Sequence, residues 1–327
     1  MIKSNPNNPS ERGKNTQQPP NTGKEKRTWA INRFSLITAA VTFVLIIIGA
    51  LVSSNGAGSP LPEWPLSLRQ LLPGGHLFGV SLYEYLHKLV AGITALLVLA
   101  LFLWILVGER RAWVKWVGAL ALVLVIVQAG LGLLQLRMHG RDVMAITLIH
   151  AFVAQVFLGV VVSLTVFTSP GWVRAGELRA GFQKAQTPIV YFITTAATAA
   201  LLIQVLLGAA YSRNLVGVVP HLAGAIVTAT LIVWGTILVV HLEHERDRAF
   251  PYLTVPARIG IWVLMFELAV GLLSYFFGAG YVGDSSEPNR EIIASVIHTA
   301  FASALLVTEV TLQIRLYRMV PITEGRT

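Results

Sequence analysis

The chain has 327 residues, 54% of them hydrophobic and 13% charged, with a formal net charge of +9 and no cysteine. A soluble domain of this length carries about 25% charged residues, so water is not the main solvent here, and the apolar content suffices for about eight spans of roughly 20 residues. The missing cysteines exclude disulfides, iron–sulfur clusters, thiolate metal sites and a cysteine nucleophile, which leaves His, Met, Tyr and carboxylates to hold any cofactor.

Residues 1–33 are rich in Asn, Pro, Gln and Lys without apolar periodicity and read as a disordered tail, with no cleaved secretory signal. Apolar runs follow at about 34–52, 82–107, 113–136, 143–167, 189–211, 218–242, 259–277 and 292–312. Each is long enough to cross the hydrocarbon, and most are flanked by Gly, Pro, Arg or Trp. The sequence thus predicts an all-α integral membrane protein with eight transmembrane helices, and the even number puts both termini on one side.

Charge sorts the sides. The face opposite the termini carries only Arg69, Arg137, Arg141, Arg213 and Arg290, with Lys88 just inside the second run; all the other Lys and Arg, of 25 in total, lie on the side of the termini. By the positive-inside rule both termini are cytoplasmic. The basic excess is an orientation signal, and a nucleic-acid partner loses its support.

The chain also repeats itself. Gly49-Ala-Leu-Val-Ser53-Ser-Asn55 closes the first run as Gly208-Ala-Ala-Tyr-Ser212-Arg-Asn214 closes the fifth. Gln128 precedes Gly132 by four in the third run as Glu267 precedes Gly271 in the seventh. His87 with Ala91 opens the second run as His221 with Ala225 opens the sixth, and Ile149-His150 matches Ile297-His298. Small residues among apolar ones are ordinary packing glue in lipid, but four correspondences in one order indicate two tandem four-helix bundles. The predicted divisions are the tail 1–33, an N-terminal half 34–168, a cytoplasmic linker 169–187, a C-terminal half 188–315 and a cytoplasmic tail 316–327.

Of eight histidines, only His87, His150, His221 and His298 lie within the hydrocarbon part of a span and away from its inner end. Each is one to two turns from the outer end of an even-numbered run. A lone membrane histidine can simply hydrogen-bond a neighbouring helix. Four at one depth, two per half, fit bis-imidazole ligation of two haems from facing helices; a zinc site lacks a third and fourth ligand. His76 and His139 fall in outer loops, and His241 with His244 reads as a solvated helix end.

The two sites differ. Glu84 lies three residues before His87, on the same helical face, whereas Thr147, Val218 and Ser295 hold the equivalent positions. Two readings stay open: a buried carboxylate doing chemistry beside a cofactor, or a solvated interfacial acid paired with Lys88 at i+4. On the first reading the N-terminal site is reactive and the second, bare of acids and bases near its ligands, serves structure or electron transfer. Glu267 is expected to hydrogen-bond a neighbouring helix, and Glu309 to snorkel to the cytoplasmic side.

The outer segment from Ser53 to Ser81, with Pro60, Pro62, Trp64, Pro65, Gly74 and Gly75, reads as a lid lying on the membrane over the first site. Arg137, Arg141 and Arg213 stand at the same rim, where haem propionates would emerge; interfacial anchoring explains any one of them equally well.

With these residues assembled, the chain resembles the heme A synthase family. Gly49-Ala-Leu-Val52-Ser-Ser-Asn-Gly56-Ala-Gly58 followed by Trp64-Pro65 is similar to that family's first-helix and outer-loop pattern, and Glu84-Tyr-Leu-His87-Lys88 is similar to its Glu-x-x-His-Arg motif. His150, His221 and His298 fall where its other histidines belong. The resemblance covers roughly residues 34–315 and implies an oxidoreductase of cytochrome oxidase assembly. Such an enzyme oxidises the C8 methyl of haem O to a formyl group by successive hydroxylation, the resulting gem-diol losing water. It implies Glu84 as the catalytic carboxylate, His87 and His150 as ligands of the substrate haem, and His221 and His298 as ligands of a resident haem b. The implied partners are membrane lipid, haem O from a haem O synthase, and an electron acceptor outside the chain; a homo-oligomer is left open. The implied place is the cell inner (cytoplasmic) membrane, with the haem sites toward the outer face. Two features depart from the family: many members carry a cysteine pair in the outer loops, absent here, and Lys88 replaces the usual Arg, losing a planar fork. Alternatives are a dihaem b electron-transfer cytochrome and a haem-binding or delivery protein.

Overall fold

In hydrocarbon every backbone N–H and C=O must be satisfied within the segment, so long apolar runs become helices. The computed structural model describes residues 22–55, 80–138, 140–172, 187–244, 251–278 and 288–319. Among these residues the elements are helices: α1 (Thr22–Ser54), α2 (Val80–Gly108), α3 (Ala112–Gln135), α4 (Gly140–Phe167), α5 (Thr187–Tyr211), α6 (Val218–His244), α7 (Pro251–Gly278) and α8 (Pro288–Met319). All eight are long and apolar enough to cross a membrane, so the chain is an all-α, multi-pass membrane protein.

α1 packs against α2 and α4, and α3 packs against the same two helices; α5 to α8 repeat these contacts with α5 in the place of α1. Between the two sets, α1 meets α8, α4 meets α5, and α4 meets α8. The last pair is joined deep in the core, where Gln155 Nε2 donates to Ser303 Oγ at 2.8 Å. Gln155 follows His150 by five residues and Ser303 follows His298 by five, so equivalent positions of the repeat bond to each other. Apolar packing fills the rest: Val98, Leu101, Ile105, Leu158 and Val161 form one cluster, and Leu201, Ile232, Leu264, Leu305 and Leu306 sit at the matching place in the other set.

Three helices run well past the predicted ends: α1 and α7 start early, α7 at Pro251, and α8 ends late. α1 starts at Thr22, so the expected disorder does not extend over residues 22–33. Ile31 is buried, Asn32 Nδ2 donates to Thr165 O at 2.7 Å, and Arg33 lies over the Trp29 ring at 3.4 Å, so this stretch is held by α4 and by its own cation–π contact. α8 continues to Met319 because Leu316 and Met319 pack against Val190 and Leu253. Pro256 in α7 has no N–H for the carbonyl four residues back. That freed Tyr252 carbonyl accepts from Arg315 Nη1 at 3.0 Å, which ties α8 to the start of α7. The Ser53–Ser81 lid, apart from its ends, the residues before 22, and most of the 169–187 linker lie outside the described residues.

Candidate functional site: four histidines on four glycines

Each of the four membrane histidines rests on a glycine of the preceding helix. A Cβ at Gly49 on α1 would stand 3.1 Å from His87 Cε1 on α2; at Gly132 on α3, 3.9 Å from His150 Cε1 on α4; at Gly208 on α5, 2.9 Å from His221 Cε1 on α6; and at Gly271 on α7, 2.7 Å from His298 Cε1 on α8. The glycines the repeat singled out are thus the seats of the histidines it singled out. At Gly208 and Gly271 any side chain would occupy the volume of the imidazole.

The residue four before each glycine, one turn along the same helix, faces the same histidine. Gln128 Nε2 donates to the His150 backbone carbonyl at 3.1 Å. Gln204 Nε2 donates to the His221 carbonyl at 2.9 Å and also lies 2.9 Å from His221 Nδ1. Glu267 Oε2 lies 3.2 Å from His298 Nδ1, close but not aligned as a hydrogen bond. In α1 the position belongs to Leu45, whose side chain is apolar and which offers His87 only its backbone. Glu267 therefore contacts a neighbouring helix, as expected, but it also corrects the expectation that the second site is bare of acids: its carboxylate stands beside His298. Gln204 was not singled out from the sequence, although its spacing to Gly208 is the one shared by Gln128 and Glu267.

In the C-terminal half the rings of His221 and His298 face each other at 6.2 Å between centroids, 84° apart. Two imidazoles across one iron, each with a metal–nitrogen bond of about 2 Å, place their centroids roughly 6 Å apart. With both Nδ1 atoms beside polar partners, Nε2 is the nitrogen left for iron, and a partner on the other nitrogen is what orients a ligating histidine. Tyr211 completes this wall, its ring parallel to His221 at 6.0 Å. The residues present fit a bis-histidine haem.

The N-terminal half is less furnished. His87 Nδ1 and His150 Nδ1 are both buried with no hydrogen-bond partner among the described residues. An orphaned buried polar group costs about 1–3 kcal/mol. The two histidines are close enough for the charge of one to act on the other. Glu84 is buried, at 9% exposure, which removes the fully solvated reading of this carboxyl. Glu309, expected to snorkel, is instead buried at 3% exposure. It packs over Gly260, where a Cβ would lie 3.3 Å from Glu309 Oε1, because α8 at this point faces α7 and not water.

The rim arginines separate. Arg137 is exposed, and the Arg141 side chain lies outside the described residues. Arg213 is half-buried, Nη2 donating to Ser53 Oγ at 3.0 Å and Nη1 to Ala209 O at 2.9 Å; burial holds its guanidinium below the ordinary arginine value. His241 is exposed, while His76, His139 and the side chain of His244 lie outside the described residues.

Comparison with known proteins finds similarity over part of the chain. Residues 12–162 match the family model COX15-CtaA, described as cytochrome oxidase assembly protein. The chain is 33% identical over 108 residues to the heme A synthase of Exiguobacterium sibiricum, covering 31% of this chain and 35% of that protein. It is 33% identical over 106 residues to the heme A synthase of Bacillus licheniformis, covering 32% and 34%. The matched part of the chain spans about a third of the length of these curated relatives. These matches bear out the resemblance to the heme A synthase family. The family model holds Glu84, His87 and His150 and stops before α5; His221 and His298 are joined to them by the internal repeat.

Proposed function

We propose, from this family resemblance and the geometry of the four histidines, that the chain is a heme A synthase that oxidises the C8 methyl of haem O to a formyl group by successive hydroxylation, passing electrons to an acceptor outside the chain. The observation that carries the reading is the unequal furnishing of two otherwise matching sites. His221 and His298 have polar partners beside both Nδ1 atoms and a ring spacing suited to one iron, as a permanent cofactor requires. Among the described residues no amide or carboxylate side chain bonds or ion-pairs with the Nδ1 of His87 or His150, as suits a ligand that must arrive, react and leave.

On this reading His221 and His298 hold a resident haem b, and His87 and His150 hold the substrate haem. The resident haem supplies one-electron chemistry when bound. Glu84, on the His87 face of α2 and buried, is the catalytic carboxylate that holds or moves a proton beside the reacting methyl. Glu267 and Gln204 orient their histidines, and Arg137 and Arg141 are candidates for the propionates. The two halves form tandem four-helix bundles with both termini in the cytoplasm and the histidines toward the outer face of the cell inner membrane. The charge distribution and the paired helix contacts support that arrangement.

The test is pigment extraction and mass analysis after co-expression with a haem O source. Haem A or its hydroxylated intermediate is expected. Haem b alone, at two per chain, would instead establish the dihaem electron-transfer cytochrome, and haem O returned unchanged would establish a delivery protein.

A further inference from the structure

The turn after α5 breaks the internal repeat at two positions. α1 ends Val52-Ser53-Ser54-Asn55 and α5 ends Tyr211-Ser212-Arg213-Asn214, so Tyr211 stands for a valine and Arg213 for a serine. Asn214, at φ 55°, turns the chain through the left-handed region that asparagine tolerates. On one side of this turn Tyr211 stacks on His221 of its own half. On the other, Arg213 Nη1 donates within its own half to Ser212 Oγ at 3.2 Å and Ala209 O at 2.9 Å, and Nη2 crosses to the N-terminal half, donating to Ser53 Oγ at 3.0 Å. Ser53 and Ser212 are equivalents, so the guanidinium forks between matching serines where the two halves meet. Ser53 lies one turn beyond Gly49, the seat of His87, so this arm brings the guanidinium to the rim of the N-terminal site.

A half-buried guanidinium with no carboxylate partner among the described residues, at the rim of a site for a dicarboxylate ligand, offers charge-assisted, bidentate binding. We propose that Arg213, though carried by the C-terminal half, is a positioning residue of the N-terminal site: it receives a carboxylate side chain of the haem held by His87 and His150. This rests on the haem reading of that site given above.

The experiment uses the full chain, purified with its resident haem and titrated with ferric haem b as the probe, followed by the Soret band and by redox titration. Arg213→Gln is expected to weaken uptake at the first site roughly tenfold, the loss of one charge-assisted contact. It should also lower the midpoint potential of the haem bound there, since a nearby cation has been removed. The resident haem should keep its spectrum, which also reports folding. Arg213→Lys, retaining the charge without the fork, should recover part of the affinity; Ser53→Ala, which frees one arm of the guanidinium, should change uptake by less than either. Should Arg213→Gln not retain the resident haem, Arg213→Lys and Ser53→Ala carry the same titration, and uptake equal to wild type in both overturns the proposal. Equal uptake and potential in Arg213→Gln overturns it, as does an effect confined to the resident haem, which would return Arg213 to its own half. A wild-type chain that takes up no second haem overturns the first-site reading itself, a result independent of whether haem O is oxidised.

Discussion

In both halves a histidine lies on a glycine of the helix before it, yet what surrounds the ring differs. Around His221 and His298 stand Gln204, Glu267 and Tyr211; in the other half Gln128 bonds only the His150 backbone, Leu45 replaces the polar residue beside His87, and the acid sits on the helix of the ligand itself as Glu84. The comparison teaches that the internal repeat keeps the glycine seats in both halves while the residues that surround the rings differ between them. A ligating histidine is oriented by what its other nitrogen touches, so these few positions decide how long a haem stays.

The largest effect that could break this contrast is at the ligands. His298→Ala should abolish the low-spin signal of the resident haem, whereas His87→Ala should leave it intact and abolish product; a His298→Ala protein that kept both bis-histidine signals would refute the assignment. Next comes the carboxylate. Glu84→Gln is expected to reduce formation of haem A by a hundredfold or more, the scale of one proton-transfer group, with the resident haem unchanged, while Glu267→Gln should shift the resident haem's potential and spare much of the activity. Comparable activity losses in the two variants would erase the distinction between the halves.

The glycines allow a graded test. Replacement by Ala should displace the imidazole most at Gly271 and Gly208, where the new methyl would come within 2.7 and 2.9 Å of ring carbon, less at Gly49 with 3.1 Å, and least at Gly132 with 3.9 Å. Haem retention on dilution should follow that order, and a Gly132→Ala protein as damaged as Gly271→Ala would contradict it. Gln204→Leu is expected to loosen the resident haem by about tenfold or more, measured by transfer to an apo-globin acceptor.

The smallest effect lies outside the sites, on the loop between α2 and α3. Burial alone would raise the Glu109 carboxyl, but hydrogen bonds from the Arg111 side chain and backbone outweigh it and hold the group below its ordinary range. A depressed carboxylate contributes stability above its unfolded pKa and loses it as pH falls through the folded one. Glu109→Gln should therefore cost about 1 kcal/mol or less at neutral pH, with the difference from wild type shrinking as the pH falls through the folded pKa, below the ordinary carboxylate range. Thermal unfolding in detergent at neutral and acid pH measures it; a penalty that persisted in acid would show that the Arg111 contact is not its source.

How much was legible in the sequence follows from the kind of force involved. Lipid length and backbone satisfaction are one-dimensional constraints, so the spans, the repeat, the orientation charges and the four histidines could all be read along the chain. Spacing also placed Glu84 on the His87 face. Helix ends were less legible: α1 begins at Thr22 and α8 ends at Met319 because Asn32, Leu316 and neighbouring residues find partners on other helices. Glu309 was misread for the same reason, since the direction it faces depends on where α7 lies. The seating of histidine on glycine, the contact of Glu267 with His298 and the reach of Arg213 to Ser53 join residues far apart in sequence. Composition and period alone determined a membrane bundle with four outer-depth histidines. Only the packing of helices from the two halves decided which nitrogen each polar side chain meets, because that depends on distances between helices and not along them.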